Sequence, residues 1–356
     1  MSIALQLDDR AFLRRNDPTD MLALTEGFAE QCQRAYDIVR EVAVGSLAKQ
    51  PTAIVMTGLG GSAAGGDFVK AVLDAEGSVP FTVNRDYGLP HWVGPETLVF
   101  AVSYSGNTEE TLAAYEEAKR RGATVVVVSS GGKLSELAQT AGDVLVSVPG
   151  GQPPRTAMGY LLVPVLFVCQ AYGLVRQQDF VGSIATLRQT REVFGPDAVS
   201  SANEAKQLAV RLTGKLGMLY AMGGWQFAVA QRWRGQINEN AKEMIFTHVF
   251  PELCHNEILG WVGSGSQGVD DWVTVVLRGG DEPERMQTRA HITFDIIGDA
   301  TTFVPMTALG NSVLARALSL AHVGDYVSIY LAALAGRDPG NMRAIDQLKE
   351  ELAKRD

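Results

Sequence analysis

Two segments in the first half of the chain combine glycines with hydroxyl side chains, a composition that suits anion binding. Residues 58–67 read Gly-Leu-Gly-Gly-Ser-Ala-Ala-Gly-Gly-Asp, and residues 103–108 read Ser-Tyr-Ser-Gly-Asn-Thr. Each segment follows an apolar run typical of a buried strand and precedes a helical pattern. Because a helix N-terminus offers backbone N–H groups and positive dipole charge, the expected ligand is a phosphate. The candidate phosphate-binding residues are Gly60, Gly61, Ser62, Ser103, Ser105 and Thr108.

Two other interpretations of these segments stay open. Residues 58–63 also fit a dinucleotide-binding fingerprint, and Asp86 follows roughly twenty residues further on. Against this interpretation, Asp86 lies in a turn beyond the predicted second strand. The serines and the threonine could also simply cap their helices. Because both segments end strands of one predicted sheet, we favour a shared crevice that binds one terminal phosphate.

A glutamate and a histidine in the second half of the chain are candidates for proton transfer. On a predicted helix through Trp225 and Val229, a rotation of about 100° per residue places Glu239 close to the side of Trp225. A carboxylate on a partly buried face can have a raised pKa and act as a base, but a solvated glutamate near a helix end fits the same spacing. His255 follows Pro251 in a loop-like stretch, where a lone histidine is more often structural than catalytic.

Strands and helices alternate along the chain, which favours an α/β fold with mainly parallel sheets covered on both faces. The strands of a first block are predicted at residues 53–57, 81–83, 97–102, 124–128 and 144–148. Those of a second block are predicted at residues 218–222, 244–249, 272–277 and 301–304. Helices are predicted at residues 21–47, 68–73, 109–121, 133–141, 156–172, 178–193, 202–213, 225–242, 284–297 and 312–335. The second block is a degenerate repeat of the first.

Composition narrows the class of ligand and the compartment. The chain has 356 residues and a formal net charge of −9, and it has no basic stripe for nucleic acid. Its three cysteines show neither pairing nor metal spacing, and its histidines show no ligand spacing, so we expect a reducing compartment and no metal. The N-terminus lacks a signal-peptide core, and no apolar run reaches transmembrane length. These features predict a cytoplasmic protein without membrane contact.

The second of the two segments matches a known phosphate loop over its whole length. Residues 103–111 read Ser-Tyr-Ser-Gly-Asn-Thr-Glu-Glu-Thr. This sequence resembles the phosphate loop of the sugar isomerase (SIS) domain family, Ser-x-Ser-Gly-x-Thr-x-Glu-Thr, and the Gly-x-Gly-Gly-Ser turn at residues 58–62 is typical of the same family. The resemblance implies two tandem SIS-type αβα sandwich domains, and a sugar phosphate as the small-molecule ligand.

The second half of the chain narrows the resemblance to one branch of that family. Asn-Glu-Asn at residues 238–240 and Pro-Glu-Leu-Cys-His-Asn-Glu-Ile at residues 251–258 resemble the bifunctional phosphoglucose/phosphomannose isomerases. In that branch, Glu239 would be the base that moves a proton between C1 and C2 through a cis-enediol. Arg155 would stabilise the enediolate, and His255 and Lys349 would assist ring opening. The resemblance also implies a homodimer in which His255 enters the site of the neighbouring subunit.

The implied reaction interconverts glucose 6-phosphate and mannose 6-phosphate with fructose 6-phosphate, without a metal or an organic cofactor. The alternative is a sugar-phosphate sensor of the same family that binds without turnover. The sequence departs from the branch at residues 340–342, Gly-Asn-Met, where members often have threonine and proline. Extra residues relative to compact members fall at 176–201.

The expected organisation follows from the two blocks and the resemblance. The parts are an N-terminal helical segment at 1–50 that packs on the core, a first SIS domain at 51–175 with the phosphate-binding turns, a helical linker at 176–201, a second SIS domain at 202–336, and a C-terminal helix at 337–356 that returns to the active site.

Overall fold

A computed structural model describes residues 3–352 and 354, except for the side chains of Asp270 and Lys349. The helices in chain order are α1 Ile3–Gln6, α2 Arg10–Arg15, α3 Met21–Glu26, α4 Phe28–Arg40, α5 Gly61–Glu76, α6 Glu109–Arg120, α7 Gly132–Ala141, α8 Met158–Ala171, α9 Phe180–Phe194, α10 Glu204–Leu212, α11 Gly224–Gln236, α12 Glu257–Gly263, α13 Glu284–Ile297, α14 Val313–Leu334 and α15 Arg343–Leu352. The strands are β1 Ala53–Thr57, β2 Phe81–Asn84, β3 Thr97–Ser103, β4 Thr124–Ser129, β5 Val144–Ser147, β6 Gly217–Ala221, β7 Ile245–Val249, β8 Val273–Arg278 and β9 Thr302–Thr307.

The chain divides into two compact units, each built around one sheet. The first-sheet unit consists of Gly27–Arg188 and Leu309–Ser319. The second-sheet unit consists of the described residues within Met1–Glu26, Gln189–Ala308 and Leu320–Asp356. The N-terminal residues therefore group with the second sheet, although they precede the first sheet in the chain.

The first-sheet unit contains a parallel sheet with the strand order β2-β1-β3-β4-β5. All residues of β3, Thr-Leu-Val-Phe-Ala-Val-Ser, are buried, as expected for a central strand with helices on both faces. Side chains on one face of the sheet, such as Val99 on β3 and Val125 on β4, pack against α6 and α7. Together they form the core on that face. Helices α5 and α8 pack against each other and against strands of the same sheet, and α4 packs on α8.

The second-sheet unit contains a parallel sheet with the strand order β7-β6-β8-β9. Its core includes aromatic side chains from β6, from the segment after β7 and from α12, namely Tyr220, Phe250 and Trp261. Helix α11 packs on β6 and β7. The strands of both sheets are parallel, and they alternate with helices along the chain. The predicted α/β fold with two tandem blocks is therefore confirmed.

Every predicted strand is present, with its ends displaced by at most a few residues. The prediction of a single helix at 21–47 was wrong, because Gly27 separates α3 from α4 and the helix ends at Arg40. The next ten residues bury no side chain and so have no core face to stabilise a helix. Helix α12 was not predicted.

Helix α14 is long and apolar enough to cross a membrane by length and composition, but 94% of its most apolar window is buried inside the protein. The expectation that no apolar segment reaches transmembrane length was therefore wrong for this helix. Its burial is typical of the core helix of a soluble protein, in which an all-round apolar surface contacts neighbouring elements.

Candidate active site

The two glycine-rich segments lie beside each other at one edge of the first sheet. Strand β1 lies between β2 and β3. The chain therefore adds β2 on one side of β1 and then crosses to add β3 on the other side. Residues 58–60 follow β1, and residues 104–108 follow β3. This is the topological switch point, where open parallel sheets bind ligands outside the carboxyl ends of their strands. The expected shared crevice is therefore present in the fold.

The loop after β3 holds its hydroxyl groups by internal hydrogen bonds. The hydroxyls of Ser103 and Thr108 lie 2.9 Å apart, and the backbone N–H of Gly106 donates to Ser103 Oγ at 3.1 Å. Thr108 is the N-cap of α6, but its side chain makes no capping hydrogen bond to the helix. The hydroxyl of Thr108 is thus held by Ser103 rather than used as a helix cap. The Ser105 side chain is exposed at the same loop, where Ser105 Oγ accepts from the backbone N–H of Asn107 at 3.3 Å.

The glycine turn after β1 lies against the turn that carries Arg155. Gly60 has φ +52°, α5 starts at Gly61, and Ser62 is buried in its first turn. A Cβ atom on Gly61 would clash with the carbonyl oxygen of Pro154, so the two turns are in contact. Arg155 belongs to the 3₁₀-helix Pro154–Thr156 and is buried.

The Arg155 turn is also held by hydrogen bonds from Gln31, a residue of α4. The side-chain amide of Gln31 donates to the carbonyl oxygen of Thr156 at 2.7 Å, and its oxygen accepts from the backbone N–H of Gly159 at 2.7 Å. Gln31 thereby connects the end of the turn to the start of α8. Sequence reasoning missed Gln31, because no local pattern shows that a residue on α4 reaches a turn so far along the chain.

The first-sheet unit therefore brings together one set of predicted residues: Gly60, Gly61, Ser62, Ser103, Ser105, Thr108 and Arg155. The other predicted residues, Glu239, His255 and Lys349, belong to the second-sheet unit.

The corresponding crevice of the second sheet has a different chemistry. Strands β6 and β8 are neighbours, as β1 and β3 are in the first sheet. A loop of five residues connects β8 to α13, and a loop of the same length connects β3 to α6. When the two loops are aligned at their strand ends, the second has no hydroxyl at the three positions of the phosphate loop. Arg278, Gly280 and Pro283 stand where the first has Ser103, Ser105 and Thr108. The buried carboxylate of Glu282 accepts a hydrogen bond from the backbone N–H of Gly279. This crevice lacks the hydroxyls of the first and contains an acidic side chain of the chain itself.

Glu239 lies in a segment of unusual helical geometry. Helix α11 ends at Gln236, and the chain continues as a π-helix, Ile237–Ala241, until Lys242 adopts a left-handed φ of +57°. The prediction of one regular helix over 225–242 was therefore wrong in its last turn. Glu239 is half-buried. Single-turn π-helices often occur at functional sites.

A cavity of about 720 Å³ in the second-sheet unit has Glu239 in its wall. Lys242 and the segment from Gly336 to Gln347 also line it. The Lys242 ammonium group donates to the carbonyl oxygen of Asp338 at 2.6 Å, so it connects the two walls. The volume is sufficient for a small ligand.

Lys349 is part of helix α15, and its side chain lies outside the described residues. Residues 340–342, where the sequence differs from the related branch, lie directly before this helix and contact its first residue. The Asn341 side-chain oxygen accepts from the backbone N–H of Arg343, the first residue of α15, at 3.0 Å, which is an Asx turn. Gly340 N–H donates to the Asp338 carboxylate at 2.8 Å.

His255 is exposed at the end of the 3₁₀-helix Glu252–His255, immediately before α12. The residue that starts α12, Glu257, accepts hydrogen bonds from the Tyr220 hydroxyl and, at 3.1 Å, from the Trp261 indole. Burial, followed by the hydrogen bond to Glu257, raises the pKa of Tyr220, which stays protonated and donates. This network fixes the chain next to His255. Sequence reasoning missed it, since its members come from three separate elements.

These two sheets and their loops define the class of protein, which is a tandem pair of sugar isomerase domains. Residues 46–174 match the family model of the SIS domain, and residues 201–352 match that of the bacterial phospho-glucose isomerase C-terminal SIS domain. The chain belongs to the family of bifunctional phosphoglucose/phosphomannose isomerases, on the strength of its relatives. The resemblance inferred from the motifs is thereby confirmed.

Three relatives carry the name bifunctional phosphoglucose/phosphomannose isomerase and match most of this chain. The protein of Caldicellulosiruptor bescii is 40% identical, with 91% of this chain and 96% of the relative covered. That of Aquifex aeolicus is 36% identical, with 85% and 90% covered. That of Thermoplasma acidophilum is 33% identical, with 84% and 89% covered.

Solved structures share the fold at low identity. A hypothetical protein of Thermus thermophilus superposes with a TM-score of 0.76 at 16% identity, with 99% of this chain and 94% of the other covered. A glucose-6-phosphate isomerase like protein of the same organism superposes with a TM-score of 0.59 at 21% identity, with 97% and 98% covered. These likenesses concern the fold alone.

Proposed function

We propose that this protein is an aldose–ketose isomerase that interconverts glucose 6-phosphate and mannose 6-phosphate with fructose 6-phosphate. The observation that carries the proposal is the complete phosphate loop at the switch point of β1 and β3, with the Arg155 turn against it. The names of the relatives agree with this substrate class. The working compartment is the cytoplasm.

In this proposal, the phosphate binds to Ser62, Ser103, Ser105 and Thr108 and to the N–H groups of Gly60 and Gly61. A dianionic phosphate gains from hydroxyl donors and from two helix N-termini, those of α5 and α6. The second crevice lacks these hydroxyl donors, and its loop contains the Glu282 carboxylate, which lies 3.7 Å from the Arg278 guanidinium and accepts from the backbone N–H of Gly279. We therefore expect one sugar phosphate per chain.

Glu239 is the proposed base that moves a proton between C1 and C2. The two aldose phosphates differ only at C2, which becomes planar in the cis-enediol, so one base can serve both substrates. A buried guanidinium such as that of Arg155 suits the developing oxyanion, because a fixed cation in a low-dielectric site stabilises the charge without reorganisation. Lys349 on α15 would assist ring opening.

The second candidate function, a sensor that binds sugar phosphates without turnover, is separated from the first by a direct assay. The purified protein is incubated with glucose 6-phosphate or mannose 6-phosphate, and fructose 6-phosphate is measured with a coupling enzyme. We expect product from both substrates. Saturable binding of either sugar without product would establish a sensor, and binding of a nicotinamide dinucleotide at millimolar concentration would support the dinucleotide interpretation.

The working unit in this proposal is a homodimer, with His255 entering the partner's site. His255 is exposed, and α12 after it exposes Leu259 and Val262, which are 75% and 61% accessible. Such apolar side chains next to an exposed histidine suit the surface of a second copy of this chain. Burial of these side chains would stabilise the dimer through the hydrophobic effect.

Mixing two inactive variants tests whether His255 acts across the interface. Glu239→Gln and His255→Ala chains are refolded separately and together, and activity is measured in each sample. If His255 acts in the partner's site, the mixed dimer has one site with both natural groups, and activity returns. If mixing restores nothing while the mixed dimer forms, His255 acts within its own chain.

A further inference from the structure

We propose that a buried polar ladder between α11 and α14 positions Glu239, and that Ser328 is the positioning residue at its end. The ladder consists of Arg232, Gln236 and Asn240 on one side and Asp325 and Ser328 on the other. All of these residues lie in the second-sheet unit. The inference rests on the proposed function, because it concerns the orientation of the proposed base.

The first contacts of the ladder meet at one carboxylate. Asp325 Oδ2 accepts from the Arg232 guanidinium at 2.7 Å, and Asp325 Oδ1 accepts from the Gln236 amide at 2.9 Å. The side chains of Arg232 and Asp325 are only 5% and 6% exposed. A buried charge pair of this kind is costly to break, because removal of one partner leaves the other charge buried. The end of α11 is thus firmly attached to α14.

The last contact of the ladder lies beside Glu239. The Asn240 side-chain amide donates to Ser328 Oγ at 2.9 Å, and the Ser328 hydroxyl donates to the carbonyl oxygen of Asp325 at 2.7 Å. Asn240 and Ser328 are buried. The hydroxyl of Ser328 therefore accepts from one helix and donates within the other, which fixes its own rotamer and the amide of Asn240.

The π-helix at this point fits the geometry of the ladder. In a regular α-helix, residues four apart drift by about 40° around the axis, so a third rung would turn away from α14. The wider π turn at Ile237–Ala241 keeps Asn240 on the same face as Gln236. Glu239, one residue before, stays half-buried in the wall of the cavity.

A second contact holds the same turn from its carboxyl end. The Lys242 ammonium group donates to the carbonyl oxygen of Asn240 at 3.2 Å and to that of Asp338 at 2.6 Å. Asn240, which follows Glu239, is therefore held both by its side chain, through Ser328, and by its carbonyl oxygen, through Lys242. In this proposal, these bonds set the direction of the Glu239 carboxylate. The Asn240–Ser328 bond joins two neutral side chains, so its removal leaves no unpaired buried charge.

Ser328→Ala and Asn240→Ala test the inference. Both variants remove the Asn240–Ser328 hydrogen bond, and Ser328→Ala also removes the bond from the Ser328 hydroxyl to the carbonyl oxygen of Asp325. Neither deletes a charge, so we expect both variants to fold. With the base displaced, we expect kcat to fall roughly tenfold to a hundredfold while KM for glucose 6-phosphate changes less than threefold. The double variant should lose no more than the larger single loss, because both single variants already lack the Asn240–Ser328 bond.

Lys206→Met is the matched control for a loss of stability alone. Lys206 is fully buried in the same unit and donates to Asp8 at 2.9 Å and to the carbonyl oxygen of Ala198 at 2.8 Å, both of which lie outside the ladder. We expect it to lower Tm while kcat below Tm stays within twofold of wild type. The inference is overturned if folded Ser328→Ala keeps a kcat within twofold of wild type, or if its kcat falls no further than that of the control.

The same measurements separate this inference from the proposed function. If Glu239→Gln is inactive but Ser328→Ala is fully active, the base assignment stands and the positioning role is wrong. If Glu239→Gln is active, the proposed function loses its base. A slow Ser328→Ala together with an active Glu239→Gln would also overturn the inference, since the ladder would then act through another group.

Discussion

At the scale of single residues, the pairing of Ser103 with Thr108 determines what the phosphate loop can do. The sequence pattern predicted which residues carry hydroxyls at the crevice, because their order along the loop is a local property. It did not predict that the Thr108 hydroxyl bonds to Ser103 instead of capping α6. That choice depends on the loop conformation, in which Gly106 has φ +71° and lies against Gly131.

Ser103→Ala should weaken substrate binding with little effect on the chemical step. Hydrogen bonds to a charged group contribute about 1.5–3 kcal/mol, so we expect KM for glucose 6-phosphate to rise roughly tenfold to a hundredfold with kcat within threefold. Steady-state kinetics measures both. Thr140→Ala, which removes a hydroxyl bonded to the Glu136 carbonyl on α7, is the control and should leave KM unchanged. An unchanged KM in Ser103→Ala would remove this residue from the phosphate site.

At the scale of elements, the sequence predicted strands better than helix ends. The central strands β3 and β4 are nearly continuous apolar runs, so their positions follow from composition alone. The π-helix at Ile237–Ala241 was not predicted, because the 3.6-residue periodicity of the segment gives no local signal for a wider turn, and its contact with Ser328 comes from a distant helix. The periodicity argument nevertheless placed Glu239 on a partly buried face, and it is half-buried in the structure.

Gly61→Ala tests the contact between the glycine turn and the Arg155 turn. The new Cβ atom would clash with the backbone oxygen of Pro154, which cannot move as a flexible side chain would. We expect a loss of about 1–3 kcal/mol in stability, measured by denaturant unfolding, and a fall of at least tenfold in kcat/KM. Gly94→Ala in the same unit, where a Cβ atom meets nothing, should change neither. Full activity in Gly61→Ala would show that the turns need not touch.

At the scale of the whole molecule, the grouping of segments into units could not be read from the chain order. The N-terminal residues belong with the second sheet through long-range contacts such as that of Asp8 with Lys206. The buried histidine of α14 is a further case, since His322 Nε2 lies 2.8 Å from the carbonyl oxygen of Thr25 on α3. From the sequence, His322 showed only that it lacks the spacing of a metal ligand.

His322 should make stability depend on pH. Burial lowers the pKa of His322 to about 4, with nearby Arg232 and Arg191 acting in the same direction and Asp325 opposing. The unfolded chain binds this proton below about pH 6.5, so stability present above that pH is lost as the pH falls towards 4. Each pH unit in that window costs up to about 1.4 kcal/mol.

The corresponding measurement compares thermal unfolding of wild type and His322→Asn between pH 7 and pH 4. We expect the Tm of wild type to fall more steeply than that of the variant below pH 6.5. Parallel curves for the two proteins would mean that His322 is not buried in its neutral form.

The central claim is that Glu239 is the base of a sugar-phosphate isomerase. The most direct test compares wild type and Glu239→Gln for fructose 6-phosphate formation from glucose 6-phosphate, with binding of the sugar phosphate measured in parallel by calorimetry. We predict that the variant loses at least a thousandfold in kcat while its dissociation constant stays within about fivefold of wild type, because the amide keeps the shape but cannot accept the proton. A variant that turns over within tenfold of wild type would contradict the account.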